Sequence, residues 1–147
     1  MSILSPNHLI ITRAPESQRL VVRRSPINGR GCYSLVRLPA RKKIGEFIGQ
    51  KISAREARRR VALGGAISIC EVDGCWSIDG SRSGNPTSFI NHSCTPNAFS
   101  RIARGRIFFH ALRTIAPGEE VTLDYTPSQH PGRRCTCASP RCRGVMG

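Results

Sequence analysis

Three cysteines, Cys135, Cys137 and Cys142, form a Cys-x-Cys-x4-Cys pattern close to the C-terminus. Thiolates at that density suit a structural zinc, which takes four ligands in tetrahedral array, so the pattern is one ligand short. Cys94 lies in the other unusual stretch, Gly84-Asn85-Pro86-Thr87-Ser88-Phe89-Ile90-Asn91-His92-Ser93-Cys94-Thr95-Pro96-Asn97, where polar, sharply turning backbone surrounds the short apolar core Phe89-Ile90. If Cys94 is the fourth ligand, the metal ties the two stretches together. Arg133, Arg134, Arg141 and Arg143 are then placed to balance the negative charge of the cluster. The rival reading is a set of free thiols in a loose tail. Cys32, Cys70 and Cys75 fall in strand-like apolar contexts and are expected as small buried hydrophobes.

A third stretch, Asn28-Gly29-Arg30-Gly31, is a glycine turn without the strand-to-helix setting of a dinucleotide or P-loop site. Alone it marks a tight turn, just as His92 alone would be a structural histidine. The composition narrows the setting. At 147 residues the chain has room for one domain with a core. Seven cysteines without a secretion signal argue for reduced thiols and an intracellular compartment. The only apolar run near the N-terminus, Leu9-Ile10-Ile11, is too short for a signal peptide or membrane span, so a soluble, unprocessed chain is expected.

The net charge of +14, from 23 basic and 9 acidic residues, fits either a polyanionic neighbour such as nucleic acid or a solvated basic surface. Glu71, Asp73, Asp79, Glu119, Glu120 and Asp124 all fall between residues 71 and 124, and if adjoining they would make an acidic groove on a basic body.

Many short strands and one helix must position these residues. Leu20-Val21-Val22 opens a strand that turns at Asn28 to Gly31 and resumes from Cys32 to Leu35. Ile44 to Ile52 is β-rich, and Gly49 within it predicts a bulge or a close backbone approach. Ser53-Ala54-Arg55-Glu56 is a capping box for a helix running to Gly64-Gly65. Asp73-Gly74 predicts a two-residue hairpin between Ile67–Val72 and Cys75–Ile78, and Arg104-Gly105 a second between Ala98–Ala103 and Arg106–Leu112. A strand from Val121 to Tyr125 follows the Pro117-Gly118 turn. Residues 1–19 show no periodicity and read as a loosely held arm.

Asn91-His92-Ser93-Cys94-x-Pro96-Asn97, with Ile78-Asp79 and Gly84-Asn85 before it, is followed by Gly118-Glu119-Glu120-Val121-Thr122-Leu123-Asp124-Tyr125 and the cysteine tail. This succession closely resembles the SET-domain lysine methyltransferases with a post-SET zinc motif, over roughly residues 18 to 144. Glu46-Phe47-x-Gly49 resembles a further family element, no cysteine cluster precedes the domain, and the insert between residues 53 and 78 is short. A minimal, free-standing SET protein is the form this resembles, with an arm at 1–17, the SET domain at 18–126 and the post-SET tail at 127–147.

The resemblance implies a mostly β fold of several small sheets (β-clip type), with a C-terminal pseudoknot, one short helix and a zinc-bound tail. It implies S-adenosylmethionine held by Gly29, Arg30, Gly31, Cys32, Asn91 and His92, and Tyr125 as catalytic tyrosine. Phe47, Phe99 and Leu123 are the residues expected at the substrate channel, with core packing the rival role for Phe99. Zn(2+) on Cys94, Cys135, Cys137 and Cys142 completes the site. The substrate class is a lysine-bearing protein, histone or nucleoid protein, with nucleic-acid contact through the basic surface, no membrane partner, and a homodimer as the oligomer to check.

In-line methyl transfer needs a neutral amine, and neutralising a lysine of reference pKa near 10.4 at pH 7 costs roughly 4.6 kcal/mol. An apolar channel and the sulfonium charge both lower that cost. Ser88 stands where the family commonly has arginine, and Phe47 where tyrosine is frequent. Leu123 occupies the place where phenylalanine or tyrosine often limits the number of methyl groups; being smaller, it favours higher methylation. Two non-enzymatic readings remain alongside: a SET-like adaptor gripping a protein tail or nucleic acid, and a zinc-dependent nucleic-acid binder.

Overall fold

Four small sheets dominate the computed structural model, which describes residues 15–64, 68–125 and 132–146. One helical turn, α1 (Glu16–Arg19), leads into the antiparallel pair β1 (Leu20–Arg24) and β2 (Arg30–Ser34). The turn between them closes through the Ser25 N–H donating to the Gly29 carbonyl, with Gly29 at φ +46°. Residues 15–19 are less loosely held than their sequence predicts. Arg19 is buried, and the Glu16 carboxylate accepts from the Glu46 N–H at 2.9 Å. The rest of the expected arm, residues 1–14, lies outside the described residues.

The central sheet runs β3 (Lys43–Phe47), β9 (Arg106–Ala111), β8 (Ala98–Ala103), all antiparallel. Its inward side chains alternate as a strand demands, with Ile107, Phe109 and Ala111 buried on β9. They meet Ile44, Phe47, Ile90, Ile115 and Val121 in one core cluster, where Phe47 and Phe109 pack edge to face at 6.1 Å. Arg104 and Gly105 both take positive φ, as the predicted hairpin turn requires.

The third sheet orders β4 (Gln50–Ser53), β6 (Trp76–Asp79) and β5 (Ile69–Glu71), with helix α2 (Ala54–Leu63) between β4 and β5. Gly49 allows the close approach expected of it, since a Cβ there would overlap the Asp79 carbonyl. Two local expectations change. The Ser53 hydroxyl does accept from the Glu56 N–H at 3.1 Å, but the Glu56 carboxylate goes forward to Arg59 and Arg60 instead of back to the cap. Two guanidiniums within one turn outcompete a single amide for that charge. The β5–β6 turn is also longer than two residues. Val72 and Asp73 both donate to the Trp76 carbonyl, and the Asp73 carboxylate accepts from Cys75 and Trp76. Cys75 is therefore exposed at the turn, not buried.

The fourth sheet is the smallest and carries the most weight. β7 (Asn91–His92) follows a 3-10 turn at Pro86–Phe89 and pairs in parallel with β10 (Thr122–Leu123), much shorter than the strand expected from Val121 to Tyr125. The segment around β10 is bonded on its other flank to β2, through Ser34 N–H to the Glu119 carbonyl and Val121 N–H to the Cys32 carbonyl. Asn97, 3% exposed, clasps this passage. Its Oδ1 accepts from the Thr122 N–H at 2.9 Å and its Nδ2 donates to the Glu120 carbonyl at 2.7 Å. Among the described residues no helix is long and apolar enough to cross a membrane.

Removing the clasp orphans two backbone groups, at a cost of about 1–3 kcal/mol each. Urea denaturation of Asn97→Ala is therefore expected to show a loss of about 2–6 kcal/mol. A loss below about 0.5 kcal/mol would show that the passage is held by other contacts.

Candidate active site and metal centre

Asn91 and His92 are buried because β7 pairs with β10 in the interior. The Asn91 amide donates to the Arg30 carbonyl at 2.9 Å and to a Glu120 carboxylate oxygen at 2.9 Å. Glu120 also accepts from the Ser25 hydroxyl at 2.8 and 2.9 Å and from the Tyr33 hydroxyl at 3.1 Å. Gly31 is required behind this carboxylate, because a Cβ there would overlap Glu120 Oε1. One acidic side chain thus fixes Asn91, the glycine turn and β2 relative to one another. In the sequence Glu120 stands as one of the acidic positions and within the Gly118–Tyr125 motif, and its bracing role is not legible there, since its partner Ser25 is 95 positions away.

A cleft of about 1210 Å³ opens over this platform. Asn28, Gly29, Arg30, Asn91, His92 and Tyr125 border it, as do Phe47, Phe99 and Leu123. Gly31 and Cys32 do not. Cys32 is wholly buried in the core, and burial pushes its thiol up to about 12. These two residues support the turn from behind. Phe89, expected in the core beside Ile90, is only half-buried; it borders the cleft with the Arg30 guanidinium 5.7 Å from its ring centroid.

The remaining channel candidates separate by depth. Phe47 is a core residue that reaches the cleft, and Leu123 is half-buried beside Tyr125. Phe99 pairs with His110 on the sheet face opposite Phe109 and stacks on the His110 ring at 5.5 Å. Ser88, at the position where arginine was expected, caps the 3-10 turn by donating to the Asn85 carbonyl at 2.7 Å.

Tyr125 sits over the crossing. Its hydroxyl donates to the Ile90 carbonyl and its N–H donates to His92 Nδ1 at 3.0 Å. Burial raises the phenol above its ordinary value, so it stays protonated across the physiological range. The Cys70 thiol, also in the cleft lining, is pushed up by burial to about 12 and is a poor nucleophile.

The sulfurs of Cys94, Cys135, Cys137 and Cys142 all lie within 4.8 Å of one another. Cys94 Sγ is 3.7 Å from Cys135 Sγ and 4.0 Å from Cys142 Sγ. A tetrahedral ion with bonds of about 2.3 Å to sulfur sets an edge of about 3.8 Å, so the spacing suits one ion. Backbone N–H groups point at the sulfurs: Arg143 to Cys94, Gly144 to Cys142 and Cys137 to Cys135. Burial raises the Cys94 and Cys135 thiols, whereas at Cys137 burial is outweighed by hydrogen bonds, which lower the thiol to about 6. The tail is further pinned by a bidentate Arg143–Asp124 pair at 2.6 and 3.0 Å, which holds Asp124 below its ordinary value.

The acidic groove does not form. Asp79, Glu119 and Asp124 pair with Arg60, Arg113 and Arg143 respectively, while Glu120 is engaged by Ser25, Tyr33 and Asn91. Of the six acidic positions, only Glu71 and Asp124 border the cleft.

Similarity to known proteins meets this geometry from a separate direction. The SET domain family model matches residues 29–126. The chain is 37% identical over 115 residues to the histone-lysine N-methyltransferase ash1 of Drosophila melanogaster, covering 69% of this chain and 5% of that protein. It is 32% identical over 157 residues to the H3 lysine-4 specific histone-lysine N-methyltransferase of Saccharomyces cerevisiae, covering 98% and 14% respectively. With trithorax of Drosophila virilis, also a histone-lysine N-methyltransferase, identity is 34% over 132 residues, covering 84% and 3%. The chain therefore spans only a small part of the length of these relatives. The matched stretch runs from the glycine turn through the Asn91-His92 pair to Tyr125, the same residues that the crossing brings together, and the chain belongs to the SET domain family.

Proposed function

We propose that this protein is an S-adenosylmethionine-dependent protein-lysine N-methyltransferase with a structural zinc ion. The observation that carries the reading is the convergence of the glycine turn, Asn91 and Tyr125 on one cleft, beside a cluster of cysteine sulfurs at metal spacing. The relatives named as histone-lysine N-methyltransferases support the same activity.

S-adenosylmethionine supplies a sulfonium methyl group, transferred by in-line displacement to the lysine ε-nitrogen. The polar end of the cleft, with Asn91, the exposed Arg30 side chain and the backbone at Asn28–Gly29, suits the charged amino-acid portion of the cofactor. Phe89 offers a flat apolar surface beside it. Tyr125 acts by position: its phenol is protonated and anchored to the Ile90 carbonyl, so it orients reactants and does not serve as a base. The proton of the incoming lysine leaves to solvent before attack, and Leu123 and Phe47 provide the apolar surroundings that make the neutral amine less costly.

The substrate we favour is a histone or other basic protein associated with nucleic acid, inside the cell. A groove with few free carboxylates gives a basic peptide little long-range attraction, whereas a +14 body is drawn to a polyanion that carries such a peptide. Gly31 and Cys32 act through the turn they support. The domain division at residues 17/18 and 126/127 is part of this proposal, with Glu16 already anchored to β3.

Three outcomes follow. With labelled cofactor and a panel of basic proteins, wild type is expected to transfer methyl groups and Tyr125→Phe to retain less than about 1% of kcat, a loss of more than roughly 2.7 kcal/mol of transition-state stabilisation. Equal labelling by both proteins would refute the assignment, and absence of cofactor binding would favour a non-enzymatic adaptor. The rate is expected to rise with pH above neutrality, because the reacting lysine must lose its proton, and to show no fall near pH 10 from Tyr125, whose raised pKa keeps the phenol protonated. A falling limb at or below about pH 9 would contradict this account. Finally, metal analysis of purified wild type should give one zinc per chain, and Cys94→Ser should lower that stoichiometry and loosen the tail; unchanged stoichiometry would remove Cys94 from the ligand set.

A further inference from the structure

We propose that His92 is a positioning residue that couples the occupied metal centre to the backbone of Tyr125. The inference rests on the reading of the cysteine cluster as a metal site and of Tyr125 as catalytic, and it assigns to the histidine side chain a part that neither reading contains.

Both ring nitrogens of His92 are committed. Nδ1 lies 3.0 Å from the Tyr125 backbone nitrogen, and a peptide N–H can only donate, so Nδ1 carries the lone pair. The ring proton is therefore on Nε2, which lies 3.4 Å from Cys94 Sγ. That pair is an N–H···S hydrogen bond with the sulfur as acceptor. Asp124 does not compete: its Oδ1 is 3.6 Å from Nδ1, beyond hydrogen-bond range, and its charge is paired with Arg143. At 3% exposure the ring has little access to water as a substitute partner.

The direction of coupling follows from the sulfur. A metal-bound cysteine is a thiolate, a far stronger acceptor than a thiol. Loading the metal strengthens the bond to Nε2–H, fixes the ring plane, and aims the Nδ1 lone pair at the Tyr125 N–H. The Ser93 N–H, donating to the Leu123 carbonyl at 2.8 Å, holds the same strand two residues earlier. Tyr125 is thus gripped by backbone pairing before it and by the imidazole at its own amide. A cysteine cluster remote from the reacting atoms gains, through one rigid ring, a grip on the tyrosine.

The two bonds can be cut separately. Asn at position 92 places an amide oxygen near Nδ1 and cannot reach Cys94; Gln reaches toward Cys94 and gives up the Nδ1 acceptor. The readout is hydrogen exchange at the Tyr125 amide, with the Ala111 amide, bonded to the Lys42 carbonyl in the central sheet, as the control for global opening. In wild type, chelation of the metal is expected to speed Tyr125 exchange at least about tenfold while Ala111 is unchanged. In His92→Asn the metal should no longer alter Tyr125 exchange. In His92→Gln, exchange should be fast whether or not metal is bound. Arg143→Ala removes the other link between tail and strand, and it should keep the wild-type response. Kinetically, His92→Asn should lower kcat, and the exchange pattern separates this effect from a loss of cofactor contact.

If chelation leaves Tyr125 exchange unchanged in wild type, or if His92→Asn responds like wild type, the coupling is wrong even where methyl transfer is intact. If the exchange pattern holds but no methyl transfer occurs, the coupling stands and the proposed activity falls.

Discussion

The structure depends on one passage of chain, residues 118–125, held between β2 on one flank and the 91–97 segment on the other. Burying that much backbone away from water is tolerable only if its donors and acceptors are met. Two residues of parallel pairing cannot do so alone. The deficit is made up by side chains: Asn97 for Thr122 and Glu120, and His92 for Tyr125. Asn91, meanwhile, ties the glycine turn to the Glu120 carboxylate. The residues that hold the crossing together are also those that border the cleft or stand directly behind it, so fold and site are not separable here.

The cysteine cluster sits at one end of the same passage, where the proposed metal would tie the tail to the 91–97 segment. Cys94 comes from the segment that flanks the crossing, while Cys135, Cys137 and Cys142 come from beyond it, and Arg143 bonds both Cys94 and Asp124. The tail thereby gains a fixed place over the cleft from contacts that its own polar composition could not supply. The charge distribution is shaped by the same economy: most acidic side chains in this half of the chain are spent on internal arginine pairs or on the crossing. What remains outward-facing is predominantly basic.

Much of this was legible in the sequence, and the exceptions have physical reasons. The β1–β2 turn, the Arg104-Gly105 hairpin and the close approach at Gly49 follow from residue types whose backbone preferences are local. The meeting of Cys94 with the tail cysteines is readable because a three-thiol pattern is one ligand short of a tetrahedral set. Glu120 was missed because its partners Ser25, Tyr33 and Asn91 are 95, 87 and 29 positions away, and no local pattern registers a carboxylate shared at that range. Phe89 leaves the core expected for the apolar pair Phe89-Ile90 because two adjacent apolar residues do not reveal a 3-10 turn that brings one of them to the cleft. The acidic groove failed for a related reason: clustering along the chain does not reveal which carboxylates an arginine already occupies.

The central claim is that the crossing builds one cofactor site from the glycine turn, the Asn91-His92 pair and Tyr125. Backbone amide chemical-shift mapping of the zinc-loaded protein during titration with S-adenosylhomocysteine tests it most directly. The account predicts saturable shifts concentrated at Gly29, Arg30, Asn91, His92 and Tyr125. Shifts confined to another surface, such as the β8–β9 hairpin, or no shifts at saturating ligand, would contradict it.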